Sequence, residues 1–362
     1  MFDISFFQKT DCLKKEILSR QINDLSSKDV FERLEALRNN NPHVFNIETT
    51  NNCNMSCQMC PRTNLMNRKV MHIGDEDFEN VLDQIEIHDA KDLDDFWNFI
   101  RGKYEIEEHH QTENSFYFYV MSKCLSLHGY GEPLLDPKIV KRVQACTDRN
   151  ITTYFSCVPA NIKQKRIIEL MEAGLDVIKF SMDTLDDKGQ KAVRGEINNF
   201  QQSFDDILAI FDFKKNNSKI KTKIIITMIS FSEEGNNIQL QKEFMSLWEK
   251  YPVFAYVKSQ DNRWYYQNEN KDYKNRSHYS VQYCEFPWTS LSVMSNGAVV
   301  PCTQDYNAEM EMGSIKKQTL KEIWNGEKYT KFREMHISGN FSCDFKCKDR
   351  CDIPKIFEKL RN

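Results

Sequence analysis

Between residues 45 and 260 the chain alternates six times between short apolar runs and longer stretches with apolar residues at helical spacing. Strands are predicted over 45–50, 123–133 (a strand running into a glycine turn), 151–157, 175–183, 220–231 and 252–259. Helices are predicted over 76–85, 136–149, 162–174, 204–216 and 237–251, with Pro137 opening the second and Gly174 stopping the third. Such alternation demands long crossovers, hence parallel βαβ units. The sheet can be doubly wound or a barrel, full or partial; spacing alone does not choose. Residues 13–40 read as helical, with Ser26–Ser27 as an N-cap region. The stretch 88–118, with His109 and His110, is highly charged and reads as an inserted helix and loop, mostly solvated or serving as a lid. From 262 the pattern stops. A polar, aromatic linker with Trp264, Tyr265 and Tyr266 precedes a hairpin turning at Asn296-Gly297, a short helix at LKEIWNG and a cysteine-rich tail. The expected division is 1–44, 45–261 and 262–362.

Lys and Arg number 49 against 53 Asp and Glu, a net charge of −4, which argues against bulk nucleic acid or an anionic membrane as the main partner. The greasiest segment, IIITMI at 224–229, has strand length, and the N-terminal stretch lacks a basic region followed by an apolar one. Neither a membrane helix nor a signal peptide is expected, so a cytoplasmic location is. There, thiols stay reduced, and grouped cysteines among the 12 present mean metal or catalysis rather than disulfides.

The first group, Cys53, Cys57 and Cys60, follows the first strand with spacing C-x3-C-x2-C. Three thiolates on one loop can hold three irons of a cubane and leave the fourth iron open to a ligand. A ferredoxin run would add a fourth local Cys, and none is near. A structural zinc site, and with it a non-enzymatic binding or scaffold protein, is the alternative; zinc prefers closed sets of four.

This loop resembles that of the radical S-adenosylmethionine enzymes, whose fold is a partial (β/α)6, TIM-like barrel, and the likeness covers about 45–260. The resemblance implies that the open iron chelates S-adenosylmethionine and that one electron cleaves it to a 5′-deoxyadenosyl radical, which takes hydrogen from a substrate. His128-Gly129-Tyr130-Gly131-Glu132-Pro133 looks like the family's glycine-rich motif at the methionine end, in a G-x-G-E-P variant. Glycines there let backbone approach a ligand at the end of a parallel strand. By the same resemblance Ser156, Ser181, Asp183 and Arg194 correspond to ribose and carboxylate contacts, and Met59 to an adenine contact. Ordinary capping and surface roles are the alternative for each.

Cys284, Cys302, Cys343, Cys347 and Cys351 form the second group. With Gly297, Gly313 and LKEIWN they resemble the C-terminal auxiliary-cluster domain of the SPASM/twitch subfamily. Five cysteines fit the shortened twitch form, a small β-hairpin plus helix domain with one auxiliary 4Fe–4S cluster; which four ligate it stays open. Cys12, Cys124 and Cys146 read as packing. Cys157, at a strand's end, is a candidate hydrogen donor if it faces the cavity. The resemblance implies an oxidoreductase of the dehydrogenase or epimerase type. Its substrate would be a small polar one, carbohydrate or aminocyclitol-like, and its electron donor a flavodoxin or ferredoxin. A maturase of ribosomal peptides is the alternative. The 44 residues before the first strand look too short for a leader-binding domain, which favours the small substrate.

Overall fold

The computed structural model describes residues 1–13, 26–231, 235–259, 284–338, 340–341 and 347. The expected linker aromatics Trp264, Tyr265 and Tyr266, and the stretch 14–25, lie outside the described residues. One sheet holds β1 (Val44–Ile47), β2 (Leu125–Ser126), β3 (Thr153–Cys157), β4 (Val177–Ser181), β5 (Lys223–Ser230), β6 (Phe254–Ser259), β7 (Leu291–Val293), β8 (Ala298–Val300) and β9 (Gly313–Ser314). Their order is β6-β5-β4-β3-β2-β1-β7-β8-β9. β1 to β6 pair in parallel, each with its neighbour in sequence. A doubly wound sheet needs a point where strand order reverses. None occurs between β1 and β6, so the winding is that of a partial barrel.

β7 pairs in parallel with the outer side of β1, and β8 and β9 follow antiparallel. The C-terminal hairpin therefore continues the barrel sheet. Its turn is where the sequence puts it: Gly297 has φ of 87°, and the Asn296 carboxamide accepts the Ala298 N–H at 3.1 Å.

Strand alternation sorts the barrel side chains into two layers. Ile178, Phe180, Ile224, Ile226 and Met228 pack against Ile207, Ile210, Phe244 and Trp248 of the surrounding helices. The opposite parity, Tyr154, Val177, Ile225 and Tyr256, packs on Phe116 and Val120. Those two come from the helix Glu113–Lys123, which plugs the interior near the strands' N-terminal ends. Burying each such aromatic stabilises by about 2–3 kcal/mol.

The stretch 88–118 buries one face. Its helix, Ala90–Tyr104, fully buries Phe96 and Ile100 and nearly buries Trp97. They join Phe2, Phe7 and Phe118 in one cluster with Cys284, Phe286 and Cys302. Phe96, Trp97 and Ile100 share one helix face, while Asp92, Asp94, Asp95 and Arg101 decorate the rest. The count of charges hides the stripe. The insert braces the N-terminal helix against the C-terminal region through this one buried face and leaves most of its surface solvated.

Candidate active site

The three cysteines of the first group lie beyond the C-terminal end of β1 and come together. Cys57 is buried beside Met55 and Val158, with Cys53, Met59 and Cys60 packed against them. A cubane takes one thiolate per iron from such a loop. Burial pushes the Cys53 thiol up to about 12, against the pull of the Met55 N–H on its sulfur at 3.5 Å. Burial likewise raises Cys57, opposed by the Arg194 guanidinium, whose Nη1 is 3.8 Å from its sulfur. Soft, desolvated thiols of this kind become thiolates when a metal centre supplies the positive charge. The donor set thus fits an iron–sulfur cluster.

The loop is clamped by the end of one helix. The Ser56 and Gln58 N–H groups donate to Arg194 and Val193 carbonyls at 3.1 and 3.0 Å. Arg194 ends the helix Asp187–Arg194. Its Nε donates to Asp183 Oδ2 at 2.5 Å, and Asp183 Oδ1 accepts the Ile229 N–H at 2.9 Å. Asp183 is buried with both oxygens engaged, so it orients Arg194 and pins β5.

Gly129 and Gly131 both lie against protein atoms that leave no room for a Cβ. A Cβ at Gly131 would fall 2.1 Å from the Thr50 carbonyl oxygen, and one at Gly129 would fall 2.7 Å from the Glu48 side chain. Glu132 is buried, and burial raises its carboxyl to about 7. Its oxygens accept the Leu134 and Val158 N–H groups at 3.1 and 2.9 Å, tying the glycine turn to the end of β3. Ser156 and Ser181 face inward together, Oγ to Oγ at 3.2 Å. His128 lies on the same side, bonded to Ser126 Oγ at 2.8 Å and set edge-on to the Tyr154 ring.

Cys157, the candidate hydrogen donor, does not face inward with Ser156 and Ser181. It has the parity of Phe155, pairs in register with Phe180 and belongs to the helix-facing core. Alternation gives the inward place to its neighbour Ser156.

Of the second group, Cys284 and Cys302 are buried in one cluster, and the Gln304 N–H points at the Cys302 sulfur from 3.4 Å. Cys347 packs with Phe332, Phe341 and methionines. Cys343 and Cys351 lie outside the described residues.

The sequence reading missed Glu48, Arg68 and Ser295. Glu48 is fully buried and receives Arg68 Nη1 and Nη2 at 2.6 and 2.8 Å, Ser295 Oγ at 2.8 Å and the Tyr130 N–H at 3.1 Å. The available signal was one acid at the end of an apolar parallel strand.

Residues 47–235 match the Radical SAM superfamily, and residues 284–352 match an iron–sulfur cluster-binding domain, SPASM. A tungsten-containing aldehyde ferredoxin oxidoreductase cofactor-modifying protein from Pyrococcus furiosus is 23% identical over 350 residues, 85% of this chain and 88% of that one. An S-adenosyl-L-methionine-dependent 2-deoxy-scyllo-inosamine dehydrogenase from Niallia circulans is 36% identical over 66 residues, 18% of this chain and 26% of that protein's length. The structure of Streptococcus suis SuiB bound to its precursor peptide SuiA superposes with a TM-score of 0.56 at 16% identity, covering 96% of this chain and 82% of that one. That likeness is one of fold. No described helix is long and apolar enough to cross a membrane.

Proposed function

Because the chain belongs to the radical S-adenosylmethionine superfamily and ends in an iron–sulfur cluster-binding domain, we propose that it is an oxidoreductase acting on a small, polar, hydroxyl-bearing substrate of the carbohydrate or aminocyclitol kind, with dehydrogenation or epimerisation as the outcome. Its cofactors are S-adenosylmethionine and 4Fe–4S clusters. Bound together at the first site, they supply a one-electron cleavage that yields a hydrogen-abstracting 5′-deoxyadenosyl radical.

In this reading Cys53, Cys57 and Cys60 hold the first cluster. Arg194, oriented by Asp183, sets its positive charge beside Cys57 and the cofactor's carboxylate. The backbone of Gly129, Tyr130 and Gly131 carries the methionine end. Glu132 holds that turn rigid through Val158 and retains acceptor capacity for the cofactor's ammonium. Ser156 and Ser181 meet ribose hydroxyls, and Met59 borders the adenine. Cys284 and Cys302 serve the auxiliary cluster, completed from Cys343, Cys347 and Cys351. A flavodoxin- or ferredoxin-like protein supplies electrons.

One observation carries the substrate class: beyond the two serines assigned to the ribose, the inward end of β2 presents Ser126 and, hydrogen-bonded to it, His128 as a polar, hydroxyl-bearing rim above an aromatic floor. Such a hydroxyl-lined rim suits a ligand with many hydroxyls or amines. The partial similarity to an aminocyclitol dehydrogenase points the same way.

The test is turnover by anaerobically reconstituted protein with reductant, S-adenosylmethionine and selectively deuterated aminocyclitols and sugars. Deuterium moves into 5′-deoxyadenosine. The product either lacks that deuterium and one further hydrogen or is an epimer in which hydrogen has replaced the deuterium. Cys57→Ala abolishes both. Deuterium transfer from a peptide, with none from any polyol or aminocyclitol, would refute the small-substrate reading and favour peptide maturation.

A further inference from the structure

The Tyr130 side chain turns away from its own motif. Its hydroxyl donates to the Thr303 carbonyl at 2.7 Å, one residue after Cys302, and its ring meets that of Tyr306 edge-on at 6.0 Å. The segment after the first cysteine loop is joined to the same stretch. Arg68 Nε donates to the Tyr306 carbonyl at 2.7 Å, the Asn67 N–H to Asn307 Oδ1 at 2.9 Å, and Asn307 Nδ2 to the Leu65 carbonyl at 3.2 Å. Glu48 closes the triangle, binding Arg68, the Tyr130 N–H and Ser295 of the hairpin turn. Four hydrogen bonds thus lock loop 302–307 to both segments that frame the first cofactor site, and the buried Glu48–Arg68 pair ties those segments to each other. Loops closed by so many cross-links move together or not at all.

We propose that Tyr130 and Asn307 are positioning residues that make S-adenosylmethionine affinity depend on the auxiliary-cluster loop. When Cys302 is ligated, loop 302–307 is fixed, and through Thr303 and Tyr306 it fixes the Gly129–Gly131 turn. When that loop is loose, the turn loses one wall. Linkage makes the effect reciprocal: S-adenosylmethionine also steadies the auxiliary site. This rests on the functional reading above, in which that turn holds the methionine end and Cys302 ligates the auxiliary cluster.

The experiment measures the S-adenosylmethionine dissociation constant of the cluster-loaded full chain by equilibrium dialysis. Iron content and the auxiliary cluster's electron paramagnetic resonance are read in parallel. Tyr130→Phe removes only the hydroxyl, and Asn307→Ala cuts two bonds at the surface. Each is expected to weaken binding about fivefold, the size of a net hydrogen bond, with iron unchanged. Adding S-adenosylmethionine shifts the auxiliary signal in the wild type and leaves it unmoved in Tyr130→Phe. Cys302→Ser weakens binding by a similar factor, and combining it with Tyr130→Phe adds nothing. Dissociation constants within twofold of wild type in both mild variants would overturn the proposal. So would weakening that merely tracks lost iron, or Cys302→Ser and Tyr130→Phe effects that multiply. If Cys302→Ser does not fold, the two mild variants decide. A wild type that holds both clusters yet binds no S-adenosylmethionine fails the functional reading instead.

Discussion

Replacing Glu48 with Gln tests how much the junction between the two cysteine regions depends on one charge. Glu48 accepts five hydrogen bonds: two from Arg68, two from Ser295 and one from the Tyr130 N–H. The glutamine has the same shape, but one end becomes an NH2 group facing donors on every side. Arg68, only 7% exposed, keeps its charge and loses its counter-ion. Removing one partner of a buried pair costs about 3–5 kcal/mol. At the shallow end of the scaling for large domains, that is a fall in apparent Tm of about 6–10 °C. The assay is anaerobic thermal unfolding followed by circular dichroism, at a fixed scan rate and matched iron content. Glu48→Gln combined with Arg68→Met removes both charges and should recover most of the loss, since an apolar replacement of a whole buried pair is often neutral. A single variant within 2 °C of wild type, or a double variant that loses at least the sum of the singles, would refute the reasoning.

Other substitutions address the remaining contacts. Gly131→Ala drives a Cβ into the Thr50 carbonyl. It should strip iron from the first cluster while auxiliary iron stays, as counted by iron analysis and Mössbauer spectroscopy. Phe96→Ala opens a cavity in the cluster holding Cys284 and Cys302; at about 3–5 kcal/mol it should lower both apparent Tm and auxiliary iron. His336 is held neutral by burial, which lowers it from 6.5 to about 4. The unfolded chain therefore binds a proton first as pH falls. Stability is full above about 6.5 and declines toward 4, by about 1 kcal/mol between pH 7.5 and 5.5. His336→Phe should show a Tm less sensitive to that change, and equal sensitivity would remove His336 as the cause.

What the sequence shows plainly is what short-range physics controls. The six strands and their helices follow from periodicity within single elements, and the C-x3-C-x2-C loop is a local pattern. Capping at Ser26 and the Asn296-Gly297 turn belong with them. Facing is harder. Ser156 and Cys157 are adjacent, so only one can point inward, and the parity of Phe155 decides it. Glu48 is harder still, because its partners Arg68 and Ser295 are 20 and 247 residues away. The buried stripe of 90–104 was obscured because total charge says nothing about which face carries it. The close approach of the Gly129–Gly131 turn to Thr50 and Glu48 is not legible in the motif, because it depends on how two loops meet.

The register of β7 explains how loop 302–307 comes to meet segments so far away in sequence. β1 has an open edge opposite β2, and an unpaired edge of a parallel sheet must be covered. β7 covers it, with Asn46 opposite Ser292 and Ile47 opposite Val293. That pairing leaves Ser295 within reach of Glu48, the second residue past the paired Asn46. The hairpin then returns through β8 to Cys302, whose loop lands on Tyr130 and Arg68. One strand pairing thus sets the register of every later contact. Because side chains alternate along a strand, a slip of one residue between β1 and β7 would turn Ser295 away from Glu48 and carry Thr303 off Tyr130. The bulge between Val44 and Asn46 is where the register is adjusted. The Glu48–Arg68–Ser295 cluster, buried and charged, rejects any slipped alternative because each would leave an unpaired charge inside. Its energetic role is therefore less to add stability than to exclude other registers, which is what a site assembled from two distant loops requires.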